Sequence, residues 1–225
     1  QNTVLEKTIQ NKELELTQLD ERLESIEELI GMDVRDDAPL GERVDVAQLT
    51  SKERSLIFDI IPNGSPIEYH GITSKFGYRT HPIFRKKEFH NGSDMKAKLF
   101  TEVYATANGV VEYAGYHRKS GYGRLIIIDN SYGFKTYFAH LGKINVKHGQ
   151  VIQKGDLIGL SGNSGQSNGP HLHYEIRFMQ RALNPFWFIK WTMSNYEEIF
   201  KKEKHVPWKP LLELVAGGIR SEFTA

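Results

Sequence analysis

The chain has 225 residues, 25% charged and 39% hydrophobic, which is enough for one well-buried domain with further elements attached. Its formal net charge of +1 gives no electrostatic reason to expect a nucleic-acid partner. It contains no cysteine, which excludes disulfide staples, thiolate metal ligands and a cysteine nucleophile. No stretch approaches the roughly 18 apolar residues of a membrane span, and no signal peptide is visible. The chain opens on Gln1 in mid-pattern, which reads as a fragment whose N-terminus, with any membrane anchor, lies upstream.

Residues 1–30 carry three basic and eight acidic side chains, a net −5 against +6 for the remainder. Leu5, Ile9, Lys12, Leu16, Leu19, Leu23, Ile26 and Ile30 alternate four and three apart, with Lys12 alone breaking the apolar seam. This spacing predicts a coiled-coil helix that pairs with a second copy or a related subunit. Gly31 is placed to stop it. Residues 31–48 read as linker. Thr50-Ser51-Lys52-Glu53 has the form of a capping box opening a short helix, which Pro62-Asn63-Gly64 ends.

From residue 65 to 190 short apolar or alternating runs are punctuated by glycine, the texture of an antiparallel sheet. Asn108-Gly109 and Tyr132-Gly133 stand where hairpin turns are expected. The last 40 residues turn aromatic and helical again, and the stretch from Ala216 has the composition of a frayed tail.

The chain has nine histidines, and the chemistry gathers around four. In His90-Asn91-Gly92-Ser93-Asp94, an extended backbone would turn His90 and Asp94 to one side, with Gly92 leaving room for a close approach. In His171-Leu172-His173-Tyr174-Glu175-Ile176-Arg177-Phe178 the alternation is clean, with both imidazoles, Glu175 and Arg177 on the face opposite the apolar one. His140 ends the apolar run Thr136-Tyr137-Phe138-Ala139. A catalytic zinc takes three N/O ligands and keeps one open position. His90, Asp94 and one imidazole of the His171/His173 pair fill that count, which leaves the other imidazole and His140 for acid–base work. His70, His117, His148 and His205 read as surface or turn residues. Arg79 is suited equally to binding a substrate carboxylate or to tying down a loop.

Phe76-Gly77-Tyr78-Arg79-Thr80-His81-Pro82, His90-x-Gly92-x-Asp94, Tyr137-Phe138-Ala139-His140-Leu141 and Gly169-Pro170-His171-Leu172-His173, in this order, resemble the lysostaphin-type (LytM-like) zinc peptidases over about residues 62–186. The resemblance implies His90, Asp94 and His173 as zinc ligands and His140 and His171 as catalytic imidazoles. His81 falls in the motif as a structural or groove-lining residue. Some relatives use a tyrosine near the metal, and none is assignable here. The flanks look similar to the cell-shape-determining peptidoglycan endopeptidases of helical Gram-negative bacteria.

The expected architecture is a mainly β, antiparallel-sheet peptidase domain with an open groove (62–190). It follows a coiled-coil helix (1–30) and a linker with a short helix (31–61), and precedes a helical extension and tail (191–225). The expected activity is zinc-dependent hydrolysis of peptidoglycan peptide cross-links, at the D-alanyl–diaminopimelate bond, in the periplasm. Two other readings compete. One is a catalytically silent activator of other wall hydrolases. The other is a carrier-type module, because Val146-Lys147-x-Gly149-x-Val151-x-x-Lys154-Gly155-Asp156-x-Ile158 resembles biotinyl/lipoyl and sugar-phosphotransfer domains.

Overall fold

The structure is a computed structural model that describes residues 2–32, 38–80 and 85–223; His81 lies outside the described residues. Packing divides the chain into two compact units, Gln1–Ser55 with Met193–Tyr196, and Leu56–Thr192 with Glu197–Ala225.

In the first unit, α1 (Asn2–Leu29) is the expected long helix. It ends at Gly31, whose φ of +72° is cheap only for glycine. The second helix, α2 (Leu40–Ile60), differs from its sequence reading: it starts ten residues before Thr50, inside the expected linker, and the capping-box residues sit in its interior. The reason is tertiary. Ala47 and Leu40 pack with Leu23, Ile30 and Met32. Arg43 forms a buried double hydrogen bond with Glu27 (2.6 and 3.2 Å) and reaches Asp20 (2.6 Å). These contacts fix the early turns of α2, which Pro39 precedes and Glu42 supports in the first turn. Along α1, Leu5, Ile9, Leu16, Leu19 and Ile26 remain about half exposed or more, so most of the apolar seam is uncovered within the chain.

The second unit is β-rich. Its strands are β1 (Ile72–Ser74), β2 (Gly77–Thr80), β3 (Lys87–His90), β4 (Ser93–Lys96), β5 (Glu102–Tyr104), β6 (Gly109–His117), β7 (Gly123–Asp129), β8 (Phe134–Ala139), β9 (Lys143–Ile144), β10 (Val151–Ile152), β11 (Leu157–Leu160), β12 (His171–Phe178) and β13 (Arg181–Leu183). The main antiparallel sheet runs β1-β4-β12-β8-β7-β6-β10, with β13 beside β12. β5-β11-β9 form a small sheet, and β2-β3 a two-stranded ribbon. Tyr132-Gly133 makes the β7–β8 turn as expected, with positive φ at Ser131, Tyr132 and Gly133. Asn108-Gly109 does not make a hairpin, because β5 and β6 belong to different sheets. A Cβ on Gly109 would instead lie 2.3 Å from the Asp129 carbonyl, so that glycine serves a close strand approach.

Period-2 alternation gives the main sheet two different faces. Phe134, Phe138, Tyr174, Ile176 and Phe178 share one. The C-terminal helices α3 (Pro185–Ile189), α4 (Glu198–Lys202) and α5 (Trp208–Phe223) bring Phe188, Phe200 and Trp208 into ring contact with this set or with one another. The extension therefore completes the core. The helix α5 runs to Phe223, past the Ala216 where a tail was expected, and Leu211 and Val215 are buried on the turns before it. The opposite face carries Ala139, Tyr137, Asp94, His173 and Glu175. It is buried too, so β12 is inaccessible on both sides for most of its length.

Candidate metal centre and active site

The His171–Phe178 alternation delivers His171, His173 and Glu175 to one face of β12, as its sequence predicts. The 90–94 segment reaches the same place by a different route. It is not one extended strand: β3 ends at His90, β4 begins at Ser93, and the two belong to different sheets. Asp94 arrives as the cross-strand partner of His173. His90 is returned to it by the bend at Asn91-Gly92. A Cβ on Gly92 would meet the Tyr174 carbonyl at 2.5 Å, Glu175 Cγ at 2.8 Å and His173 Cε1 at 2.9 Å, so the bend fits against β12 only without a side chain.

His90, Asp94 and His173 each offer one donor atom within 4.8 Å of the others, and all three residues are buried. Asp94 Oδ1 lies 2.8 Å from His173 Nδ1 and 3.1 Å from His90 Nε2, and the two nitrogens are 3.1 Å apart. Tetrahedral zinc with bonds near 2.0–2.1 Å sets its ligand atoms about 3.3–3.4 Å apart. The observed triangle therefore needs to open by only a few tenths of an ångström. Two neutral imidazoles and one carboxylate suit zinc, and no sulfur ligand is on offer. The residues fit the ion.

Each donor residue is held on its far side. His90 Nδ1 lies 2.9 Å from the Lys75 carbonyl, Asp94 Oδ2 accepts from Arg79 Nη1 at 2.9 Å, and His173 Nε2 faces Glu175 Oε1 at 2.8 Å. Arg79 also bonds Glu88 at 2.8 Å through Nε and the Ser74 hydroxyl through Nη1, so it ties the β2–β3 ribbon to the site. Burial pushes the Asp94 carboxyl up, but hydrogen bonds from His173 and His90 outweigh it and hold the group well below the usual range. Burial opposes charge on His173, while Asp94 and Glu175 raise it to about 9.

His140 and His171 face the same triangle from the groove side. Strand parity puts Ala139 on the site face and would turn His140 away. A left-handed backbone at His140 (φ +58°) re-aims the ring, which lies 4.8 Å from that of His171 and 5.7 Å from that of His173. Such backbone costs on the order of 1–3 kcal/mol outside glycine and collects at functional sites. His140 Nδ1 bonds the Ser164 carbonyl at 2.8 Å, and His171 Nδ1 bonds the Gly169 carbonyl at 2.8 Å. Both rings thereby keep Nε2 for the groove. Burial and the neighbouring His173 and His171 push His140 down to about 4, so it is a neutral imidazole able to accept a proton at neutral pH.

The groove over these residues is an open cleft of about 190 Å³. Phe89 and Arg79 line it on one side, and Ser120 and Tyr122 on another. Tyr122 is the site residue that sequence reasoning left unassigned. Its ring lies 5.6 Å from that of His173 and its hydroxyl donates to Glu175 at 2.6 Å. Only its place in Ser120-Gly121-Tyr122-Gly123 hinted at a groove wall. His70, His148 and His205 are exposed surface residues, and His117 bonds Ser120 in the β6–β7 turn. Lys154, the lysine of the carrier-like motif, is exposed but has its ammonium engaged. Its ammonium bonds the Phe58 carbonyl at 3.0 Å and Asn63 at 2.7 Å, which leaves it no role as a presented attachment point.

Residues 88–185 match the sequence profile of peptidase family M23. The chain is 42% identical over 123 residues (55% of its length) to the DD-carboxypeptidase/endopeptidase Mpg of Neisseria meningitidis. It is 40% identical over 133 residues (59% of its length) to the peptidoglycan DD-endopeptidase ShyA of Vibrio cholerae. It spans 28% and 30% of the lengths of these relatives. A zinc-containing peptidase from Vibrio cholerae superposes with a TM-score of 0.51 at 33% identity, covering 58% of this chain and 40% of the other.

Proposed function

We propose that this chain, whose residues 88–185 match the sequence profile of peptidase family M23, is a zinc-dependent endopeptidase hydrolysing peptide cross-links of bacterial peptidoglycan. The observation that carries the reading is a buried His/Asp/His donor set with two further imidazoles facing the same groove. His90, Asp94 and His173 hold the ion. When bound, zinc lowers the pKa of its water towards about 7 and polarises an amide carbonyl.

The remaining work falls to this chain's own groups. His140 and His171 turn Nε2 toward the groove, that of His171 lying 3.6 Å from Asp94 Oδ1. One takes the proton of the attacking water, and the other hydrogen-bonds the oxygen on which charge develops. The captured proton then passes to the leaving amine, so that each cleavage consumes one water and yields a carboxylate and an amine. The burial of the donor residues keeps bulk water from competing for their bonds, while the open groove admits an extended peptide.

The bond assigned is D-alanyl–diaminopimelate, supported by the resemblance of the flanks and by relatives that carry DD-endopeptidase names. A peptidoglycan substrate supports a periplasmic or extracellular location; the periplasm, and a contribution to cell shape, are part of the proposal. No helix among the described residues is long and apolar enough to cross a membrane; an anchoring segment upstream is part of the proposal. So is assembly through the exposed seam of α1, with a second copy or a related LytM-like subunit. The test is digestion of purified dimeric muropeptides by the zinc-loaded protein, with products identified by mass spectrometry. The proposal requires monomers bearing a new D-alanine carboxylate and a new diaminopimelate amine. Cleavage at another bond would reassign the specificity, and intact dimers would remove the activity.

A further inference from the structure

We propose that Glu175 is a positioning residue of the metal centre, which fixes His173 so that Nδ1 rather than Nε2 is offered to the ion. The inference rests on the metal-site reading above and extends it to a residue outside the donor set.

An imidazole can bind a metal through either nitrogen, and the choice is set by what the other nitrogen bonds. On β12 the side chains of His173 and Glu175 are two residues apart on one face, and Glu175 Oε1 lies 2.8 Å from His173 Nε2. Glu175 is fully buried. Its second oxygen accepts from Arg177 Nε (2.8 Å) and Nη2 (2.6 Å). Tyr122 donates to Oε1 at 2.6 Å, and Arg177 Nη2 also reaches the Tyr122 hydroxyl at 3.1 Å. Arg177 is itself held over the Tyr137 ring, its guanidinium carbon 4.2 Å from the ring centroid and so within the roughly 6 Å reach of a cation–π contact. The carboxylate therefore cannot swing away. With its other oxygen taken by Arg177, Glu175 meets His173 through Oε1, and the ring is thereby anchored at Nε2. The other nitrogen, Nδ1, faces Asp94 and His90, so it is the one turned toward an ion held among those residues. Without Glu175 the ring is free to rotate or to carry its proton on either nitrogen, and Arg177 loses its buried partner.

The test uses the full chain with Glu175→Gln and Glu175→Ala, and two readouts. The first is zinc affinity measured against a competing chelator in the absence of substrate. Loss of such a partner weakens metal binding by roughly 10–100-fold, and that loss is expected for Glu175→Ala, with a smaller one for Glu175→Gln. The second is nitrogen NMR of His173 in the zinc-loaded protein. The unsubstituted protein should show metal-bound Nδ1 and an exchange-protected Nε2–H, and the variants should lose that protection. A purely structural role would weaken folding without moving the second readout. If Glu175→Ala does not fold, Glu175→Gln decides the matter. Affinity within about twofold of the unsubstituted protein, with Nε2–H still protected, would overturn the inference while the metal site stands. An unsubstituted protein that takes up no zinc would overturn both.

Discussion

At the scale of single residues, the site works by dividing five similar groups between two tasks. His90, Asp94 and His173 have their outer atoms occupied, by the Lys75 carbonyl, Arg79 and Glu175, and turn their inner atoms on one point. His140 and His171 have their Nδ1 atoms on backbone carbonyls and turn Nε2 to the groove. Two outcomes follow from this division. Asp94→Ala or His173→Ala should abolish stoichiometric zinc, measured by elemental analysis after dialysis; full occupancy in the double variant would refute the donor set. His140→Ala and His171→Ala should retain zinc but lose on the order of 10²–10⁴ in turnover, as expected when one acid–base group is removed. Metal loss in either variant would mean that a ligand had been mistaken for a base. Gly92→Ala is a sharper probe, since its Cβ would collide with Tyr174, Glu175 and His173 together. It should lower zinc affinity without removing a ligand, measured by the same chelator competition; unchanged affinity would show that β12 yields at no cost.

At the scale of elements, what could be read from the sequence was what local periodicity controls. The β12 alternation announced His171 and His173 on one face, and the four-three spacing announced α1, because both signals live within one element. The junction between elements was not legible. The 90–94 segment reads as extended or loop, and its two useful residues come from different sheets joined by a bend whose need for Gly92 arises from β12, some 80 residues away. The inward aim of His140 depends on a backbone conformation that no residue type in Phe138-Ala139-His140 signals. The start of α2 was missed because Arg43 answers Glu27 and Asp20, a tertiary partner set invisible to a propensity reading. The C-terminal elements were read as an extension of uncertain role, and the structure makes them core. Trp208→Ala should therefore cost about 3–5 kcal/mol of stability, measured by denaturant unfolding of the zinc-free protein. A loss below 1 kcal/mol would mean that the aromatic cluster around Phe134 and Phe188 is not part of the cooperative unit.

At the scale of the whole molecule, a −5 helix with an uncovered apolar seam and a metal-binding β unit are parts of one chain. The seam is the surface proposed to take a helical partner, and Lys12 at a seam position would weaken a symmetric pairing. Sedimentation of the full chain should show concentration-dependent association, or association on mixing with a related subunit; a monomer under both conditions would refute pairing through α1. The β unit carries the chemistry, and its activity should follow its metal. The most direct measurement is reconstitution: strip the full chain with a chelator, add zinc back in known amounts, and follow conversion of cross-linked muropeptide dimers to monomers. The account predicts no cleavage without zinc, a rise in activity that levels off at one zinc per chain, and none at any zinc level for Asp94→Ala. Cleavage that persists in the stripped protein, or dimers left intact when one zinc is bound, would contradict it.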